Sequence, residues 1–281
     1  MEYRKRLRVR PGSRVRFAEV DPSFTDSFED KASAGAEVQN DTAQLCKLQY
    51  LLYAEHRRSL LICLQGLDAS GKDGTIGHVF TGLNPQGARV HSFKTPSKEE
   101  ADHDFLWRVQ QQTPAKGEVV IFNRSQYEDV LFTRVHKTVP DSVIAKRYDL
   151  INAFEEGLTL AGTTILKFYL HMSEDEQLKR FKERLDDPAH QWKISEADYT
   201  ERTYFDAYLS AYQEALEKTS TDAAPWFIIP ANHKWFRNLA VSKIVVESLE
   251  SLNMSLPQPT VDLNDIRRRY HAAKEAEKGL R

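Results

Sequence analysis

The sequence predicts an α/β fold in which a five-stranded parallel sheet is covered by helices on both faces. Three observations lead there. Short apolar runs without alternation recur five times, as strands buried on both faces should. Segments with helical spacing separate them, which is the βαβ rhythm of a parallel sheet. The first run, Leu60-Leu61-Ile62-Cys63-Leu64-Gln65, leads into Gly66-Leu67-Asp68-Ala69-Ser70-Gly71-Lys72-Asp73-Gly74-Thr75. That loop fits most of the phosphate-binding pattern G-x-x-x-x-G-K-[ST], whose place is between a strand and a helix.

Composition narrows the function classes. The chain has 281 residues, enough for one large α/β domain or two small ones. Its net charge is −2 with 28% charged residues, so the chain as a whole is no electrostatic nucleic-acid binder. Polyanion recognition must come from local basic clusters. Two cysteines, Cys46 and Cys63, are too few for a disulfide framework. No apolar run approaches the roughly 20 residues of a membrane span, and the basic amino terminus lacks the apolar core of a secretory signal. A soluble, reducing, cytoplasmic setting is expected, with neither nucleic acid nor membrane as partner.

Taken in order, the chain opens with a basic arm over residues 1–41. Arg4, Arg6, Arg8 and Arg10 alternate with Leu7 and Val9, so an extended arm puts its charges on one face. It reads as a solvated tail or a polyanion contact. Thr42 to Arg58 reads as a helix with Leu45, Leu48 and Leu52 facing inward. The first strand and the phosphate loop follow, and the loop's helix runs to about Thr81. Asn84-Pro85-Gln86-Gly87 marks a turn before a second strand, Ala88 to Phe93. Ser97 with Glu99 and Glu100 starts a helix that ends before Pro114.

Val119 to Phe122 is the third strand, ending in Asn123-Arg124-Ser125. A helix runs from Asp141 to about Leu160, and Thr163 to Leu170 is the fourth strand. Ser173 caps a helix with a core stripe of Leu178, Phe181 and Leu185, leaving Arg180 and Arg184 on other faces. Pro188 breaks it. One long helix is expected from Ser195 through Tyr204, Tyr208 and Tyr212 to Thr219, the tyrosines packing in the core. Trp226 to Ile229 is the fifth strand and Trp235 to Leu252 the closing helix. Residues 42–255 thus form one domain with an insertion at about 180–222, and 256–281 a charged, peripheral tail.

Four places carry chemistry. In the loop, Gly66 permits the sharp turn, Gly71 the close approach of backbone to an anion, and Lys72 adds a mobile charge. Ala69, Ser70, Gly74 and Thr75 complete the cradle. Asp73 stands where Ser or Thr normally offers a hydroxyl to magnesium, and Asp68 is the carboxylate that can supply the missing oxygen or brace the turn. At the end of strand three, Asn123 sits where an acidic residue usually serves the metal. Arg124 can clamp a phosphate with two donors. Glu128 either joins the site or caps the next helix. The insertion carries Arg180, Arg184, Lys193 and Arg202, where nucleotide kinases place a closing lid. The basic arm is the fourth. No histidine spacing signals a metal site.

These stretches together resemble the family-2 polyphosphate kinases, particularly the class III type that handles nucleoside mono- and diphosphates. The resemblance rests on LQGLDASGKDGTI, GLNPQGARVHSFKTPS, DFLWRV, IFNRSQYEDVLFTRVHK, INAFE, ILKFYLHMSEDEQLKRFKERLDDP, WKISEAD, TSTDAAPWFIIPANHKWFRNLAV and VESLESL, from about Arg10 to Pro259. It implies a P-loop kinase three-layer sandwich, thymidylate-kinase-like, with a helical lid. It implies magnesium-dependent, reversible transfer of the terminal phosphate of inorganic polyphosphate to AMP and ADP, with guanine nucleotides as further candidates and a homo-oligomer as the assembly. Asp68, Lys72, Asn123 and Arg124 should line the reacting centre, with Asp68 at the metal.

Under the same resemblance, Arg180, Arg184, Lys193 and Arg202 belong to the lid over the polyphosphate chain. Asn84, Lys94, Arg124, Glu128 and Arg134 are the expected nucleotide contacts. Asn123 looks like the class III form of a position that is aspartate in the other classes. Gly77 and Gln126 depart from the pattern, standing where a basic residue and a histidine are usual. The rival readings are an ATP-dependent nucleoside monophosphate kinase and a non-catalytic nucleotide switch. The Asn-Lys-x-Asp segment of guanine switches is absent, Asn232-His233-Lys234 being the nearest approach.

Overall fold

The computed structural model describes residues 3–28 and 30–279. Its centre is a five-stranded, wholly parallel sheet in the order β2-β3-β1-β4-β5. The strands are β1 (Ser59–Gln65), β2 (Ala88–Ser92), β3 (Val119–Asn123), β4 (Thr163–His171) and β5 (Trp226–Pro230). β1 lies in the middle, where Ile62 pairs with Ile121 on one side and Leu166 on the other. Every β1 residue is buried, as the unbroken apolar run requires of a strand covered on both faces.

Alternate residues of β1 feed opposite layers. Leu60, Ile62 and Leu64 pack under α2 (Lys31–Glu55), α3 (Lys72–Val79) and α11 (Lys234–Glu250). Leu61 and Cys63 face the other way, into a cluster with Phe93, Val109 and Phe122. On that side lie α4 (Lys98–Asp102), α5 (Trp107–Gln110), α6 (Glu128–Val135), α7 (Asp141–Leu160) and α10 (Phe205–Thr219). The layers are those of the expected three-layer sandwich.

Several elements differ from the sequence reading. The helix expected from Thr42 begins at Lys31. Residues 31–41 carry no apolar period, so nothing in the sequence marks their helicity; tertiary bonds to α11 hold them, with Asp41 accepting from Ser242 (2.9 Å) and Lys243 reaching Glu37 (2.8 Å) and Asp41 (3.2 Å). The segment expected to start at Ser97 is two short helices. Ser97 and Glu100 form the capping box of α4, and the Asp104 carboxylate accepts from the Leu106 N–H (3.0 Å) in the turn between the two helices. The helix expected from Ser195 to Thr219 is also divided, into α9 (Glu196–Arg202) and α10. The Thr203 hydroxyl turns back onto the Thr200 carbonyl at the break (2.7 Å).

The basic arm is neither a free tail nor a lone strand. After α1 (Tyr3–Arg6) it runs along the edge of the sheet, where the Val9 N–H donates to the Trp226 carbonyl (2.8 Å) and the Ile228 N–H to the Leu7 carbonyl (2.9 Å). Its own Val9, Val15 and Phe17 are buried against the domain. Two of its arginines meet carboxylates, Arg6 that of Asp26 within the arm (2.9 Å) and Arg8 that of Asp222 in the domain (2.6 Å). The arm covers an edge that would otherwise expose unpaired backbone. At the other end, residues after Pro257 form α12 (Leu263–Gly279), whose described side chains are almost all exposed. No described helix is long and apolar enough to cross a membrane.

In α8 (Glu174–Asp186) the expected core stripe is mostly turned outward. Leu178 is 48% and Leu185 47% exposed, while Gln177, Arg180 and Phe181 are buried. The reason is the neighbour that α8 packs against. It is not an apolar surface but the backbone of the phosphate loop.

Candidate active site

The loop leaves β1 through Gly66 and enters α3 at Gly71, whose φ of +101° only glycine adopts without strain. A side chain at Gly71 would also collide with the Arg237 guanidinium. Ala69, at φ +63°, accepts the left-handed conformation with a Cβ present, a strain that persists only where surroundings over-determine it.

Those surroundings are visible. Arg180 uses its whole guanidinium on acceptors: Nη1 donates to the Ala69 (2.9 Å) and Ser70 (3.0 Å) carbonyls, Nη2 to those of Asn232 (3.0 Å) and Ala231, and Nε to Glu176 (2.8 Å). Gln177 donates to the Asp68 carbonyl (3.0 Å), and Arg237 to that of Ser70 (3.3 Å). The Tyr212 hydroxyl accepts from the Gly66 N–H (3.1 Å). Helices α8, α10 and α11 therefore grip the loop from behind. Burial and the nearby Arg180 charge bring the Arg237 guanidinium down to about 9.

In front of the loop lies a cleft of about 1380 Å³. Lys72 folds over it, its ammonium donating to the Gly66 (2.6 Å) and Leu67 (3.2 Å) carbonyls. Desolvation, reinforced by the Arg124 charge, lowers Lys72 to about 8 despite the opposing carboxylates. Arg124 leaves the end of β3 in a left-handed conformation, φ +62°. Its guanidinium reaches the Asp68 carboxylate (2.8 Å) and Glu128 (3.6 Å). Burial raises Glu128 above the usual carboxylate range, against the pull of Arg124 and Lys72. Asn123 donates to one oxygen of Asp73 (2.8 Å), and Lys193 approaches the other at 3.5 Å. Burial works to raise Asp73, but these partners outweigh it and hold its carboxyl low.

The site residues named from sequence fall into two groups. Asp68, Ala69, Gly71, Lys72, Asp73, Gly74, Lys94, Asn123, Arg124, Arg180, Arg184 and Lys193 all line the cleft. The rest do not. Gly66, Ser70 and Thr75 form the loop's rear, Ser70 and Thr75 fully buried. Glu128 stands behind Arg124. Arg202 is a brace between α9 and α8, donating to Glu174 and Gln177 (2.9 Å). Asn84 shapes its own turn by accepting from the Gln86 N–H (3.0 Å). Arg134 pairs with Asp141 (3.1 Å) and Glu214 (2.8 Å).

Arg180 touches the cleft from beneath the loop, where its donors are occupied. Of the other cations between β4 and β5, Arg184 faces Asp198 (3.5 Å), and Lys193 sits beside Trp192, which is 77% exposed. Gln126 lies in the core, donating to Glu155 (2.9 Å), and Gly77 faces open space.

Sequence reasoning missed Arg237, Gln177, Tyr212, Lys31 and Lys234. Arg237 and Gln177 sit in helices where polar residues read as the solvated face, and Lys31 in a stretch without helical pattern. A cue existed only for Lys234, which follows the strand-five end at which such sheets bind ligands. With them, among the described residues nine lysines and arginines line the cleft against four aspartates and glutamates. Such an excess around a glycine-rich loop favours polyphosphorylated ligands.

Comparison with known proteins agrees with the geometry. The profile of the family described as polyphosphate kinase 2 matches residues 28–257. An AMP/ADP-polyphosphate phosphotransferase of Meiothermus ruber is 52% identical over 258 residues, covering 91% of this chain and 96% of that protein. An ADP-polyphosphate phosphotransferase of Rhodopseudomonas palustris is 42% identical over 268 residues, with 91% and 93% covered. The crystal structure of polyphosphate kinase 2 from Arthrobacter aurescens TC1 superposes with a TM-score of 0.93 at 42% identity, covering 97% of each chain. The phosphate loop, the basic cleft and these likenesses over nearly the whole length agree: the chain belongs to the polyphosphate kinase 2 family.

Proposed function

We propose that this protein transfers the terminal phosphate of inorganic polyphosphate to AMP and ADP, reversibly. The observation that carries the reading is the cleft itself, in which Lys72 and Arg124 face a space lined by nine cations and four acids. A relative 52% identical bears the name AMP/ADP-polyphosphate phosphotransferase, which supports both acceptors.

The chemistry asks little covalent help from the protein. An oxygen of the acceptor's terminal phosphate attacks the last phosphorus of the chain, and the bond from that phosphorus to its bridging oxygen breaks. The polyphosphate leaves one unit shorter. The attacking oxygen is ionised at neutral pH, so no general base has to remove a proton. Asn123, an uncharged residue at the strand end, suits this step, since its amide is turned to Asp73. Catalysis then rests on position and charge. In this assignment the loop amides and Lys72 hold the donor's terminal phosphates, Arg124 holds the acceptor's phosphate, and Arg184 and Lys193 close over the chain.

Magnesium fits the residues present. Asp68 brings a hard carboxylate oxygen to the cleft, and the described residues contain no ready-made group of three metal-binding side chains. That is the donor set for an ion bound through one or two carboxylates and the substrate's own phosphate oxygens. When bound, the ion neutralises charge on the phosphates. Asp68 is the residue that would hold it, and Arg124, 2.8 Å away, orients that carboxylate.

The test is direct. Purified protein with polyphosphate, magnesium and ADP should yield ATP, and with AMP should yield ADP; GMP and GDP in parallel show the base range. Protein that ignores polyphosphate but equilibrates ATP with AMP is instead a nucleoside monophosphate kinase. Turnover at the parental rate in Lys72→Ala would remove the loop from the mechanism.

A further inference from the structure

Lys167 is an unusual residue for the middle of a core strand. It lies in β4 with its side chain wholly buried, boxed between the rings of Tyr127 and Trp226, each 5.3 Å from its ammonium. The three N–H donors meet three acceptors: Glu155 (2.5 Å), the Thr219 carbonyl (2.7 Å) and the Tyr127 hydroxyl (2.8 Å). Glu155, also buried, takes two further bonds on its other oxygen, from the Tyr127 hydroxyl (2.8 Å) and the Gln126 amide (2.9 Å). The network joins β4, α7, the end of α10 and the segment 126–127. None of its side chains lines the cleft.

Stability alone does not account for such a pair. A buried ion pair can generally be exchanged for apolar residues of similar volume without loss of stability, because desolvation offsets the attraction. What it supplies is direction, since each of the three Lys167 donors has its own acceptor. That direction falls on a segment with a special need. Gln126 and Tyr127 follow Arg124 by two and three residues, and Arg124 holds φ +62°, a conformation arginine rarely adopts. The Arg124 N–H is tied to the Leu64 carbonyl on one side (3.0 Å). On the other side, beyond the buried Ser125, the Gln126 and Tyr127 side chains are tied to Glu155.

We propose that the Lys167–Glu155 network is a positioning device for Arg124: it clamps Gln126 and Tyr127 so that the strained turn at 124 aims its guanidinium at the acceptor's phosphate. The inference rests on the reading of Arg124 as the acceptor clamp. Glu155 acts through Gln126 and Tyr127 and touches no substrate. Lys167 holds Glu155 and Tyr127 in register.

Two double variants separate positioning from packing. Glu155→Gln/Lys167→Met removes both charges but keeps an acceptor for the Tyr127 hydroxyl. Glu155→Leu/Lys167→Met removes the acceptor as well. Both are measured by thermal melting and by steady-state kinetics of ADP phosphorylation with polyphosphate. The leucine variant should melt cooperatively, lose at least tenfold in kcat with a raised KM for ADP, and keep its polyphosphate KM within twofold. The glutamine variant should recover kcat to within threefold of the parent. A folded leucine variant with parental kcat, or equal losses in both, overturns the proposal.

Should the leucine variant fail to fold, Gln126→Ala/Tyr127→Phe decides. It cuts both side-chain bonds from the segment to Glu155 and leaves Glu155 and Lys167 paired, so a kcat loss of threefold or more supports the device and a parental kcat overturns it. An active parent with unaffected variants sinks the positioning role alone. A parent without polyphosphate-dependent turnover sinks the functional reading, and this inference with it.

Discussion

Asp68 and Asp73 stand on one loop, yet the fold gives them different partners. Asp68 turns to Arg124 at 2.8 Å, whereas Asp73 is shared by Asn123 and Lys193. Under the proposed function, only the first is placed to relate the acceptor-binding arginine to a metal. Asp68→Asn should therefore leave the melting temperature within a few degrees of the parent and lower kcat at least a hundredfold, on the order of 3 kcal/mol in the transition state. Retention of a tenth of the parental rate would remove Asp68 from the centre.

Lys72 gives a second test at this scale. Its value of about 8 means that the folded chain loses the ammonium well before an ordinary lysine would. The ammonium is the form that binds an anion, so kcat/KM for polyphosphate should fall on the alkaline side with an apparent value near 8. Stability moves the other way. Between about pH 8 and 10.5 the unfolded chain binds a proton that the folded one does not, so this group adds stability as pH rises. A flat activity profile through pH 9.5 would show that Lys72 keeps its charge.

Among the elements, α8 shows how a helix face can be misread. A pattern reading assigns Leu178, Phe181 and Leu185 to the core and leaves Arg180 outside. The structure buries Phe181 and Arg180 and exposes both leucines by nearly half. Hydrophobic periodicity assumes an apolar partner surface, and α8 faces loop carbonyls instead. The consequence is a division among the cations between β4 and β5. Arg180→Ala removes five hydrogen bonds, to four backbone carbonyls and to Glu176, and only Ser70 and Glu176 keep a second side-chain donor, so it should destabilise the fold by several kcal/mol and impair both substrates. Arg184→Ala/Lys193→Ala should keep the parental melting temperature and raise the polyphosphate KM tenfold or more, with little change for ADP. The parent's polyphosphate KM should rise steeply with salt, and the double variant's less so. Equal effects on both ligands would place the donor elsewhere.

At the scale of the whole molecule, the two ends of the chain behave differently. The amino-terminal arm pairs with β5 and buries Val9, Val15 and Phe17, so it belongs to the sheet's edge. Helix α12 buries almost nothing. Ending the chain after Pro257 should therefore change the melting temperature by less than about 2 °C, whereas removing residues 1–17 should lower it by 10 °C or more, as the loss of three buried core residues and the uncovering of the edge they pack on implies. The opposite order would mean that α12 packs where the structure leaves it bare.

The amino-acid sequence by itself determined the five strands, their parallel arrangement and the phosphate loop between β1 and α3. Those features are local: an apolar run, a glycine at a turn and a lysine after it carry their meaning within ten residues. It also placed Asp68, Lys72, Asn123 and Arg124 together, because parallel strands must end on one side of the sheet. Only the tertiary structure decided which cations face the cleft and which hold it up. Arg180, Arg202 and Arg134 look like Arg184 in sequence, since a guanidinium that saturates carbonyls and one that awaits an anion have the same letter and the same helical spacing. The helix at 31–41 and the buried Lys167 likewise depend on partners far along the chain. Their environments exist only after folding, because burial and hydrogen-bond saturation are properties of what surrounds a residue and not of the residue.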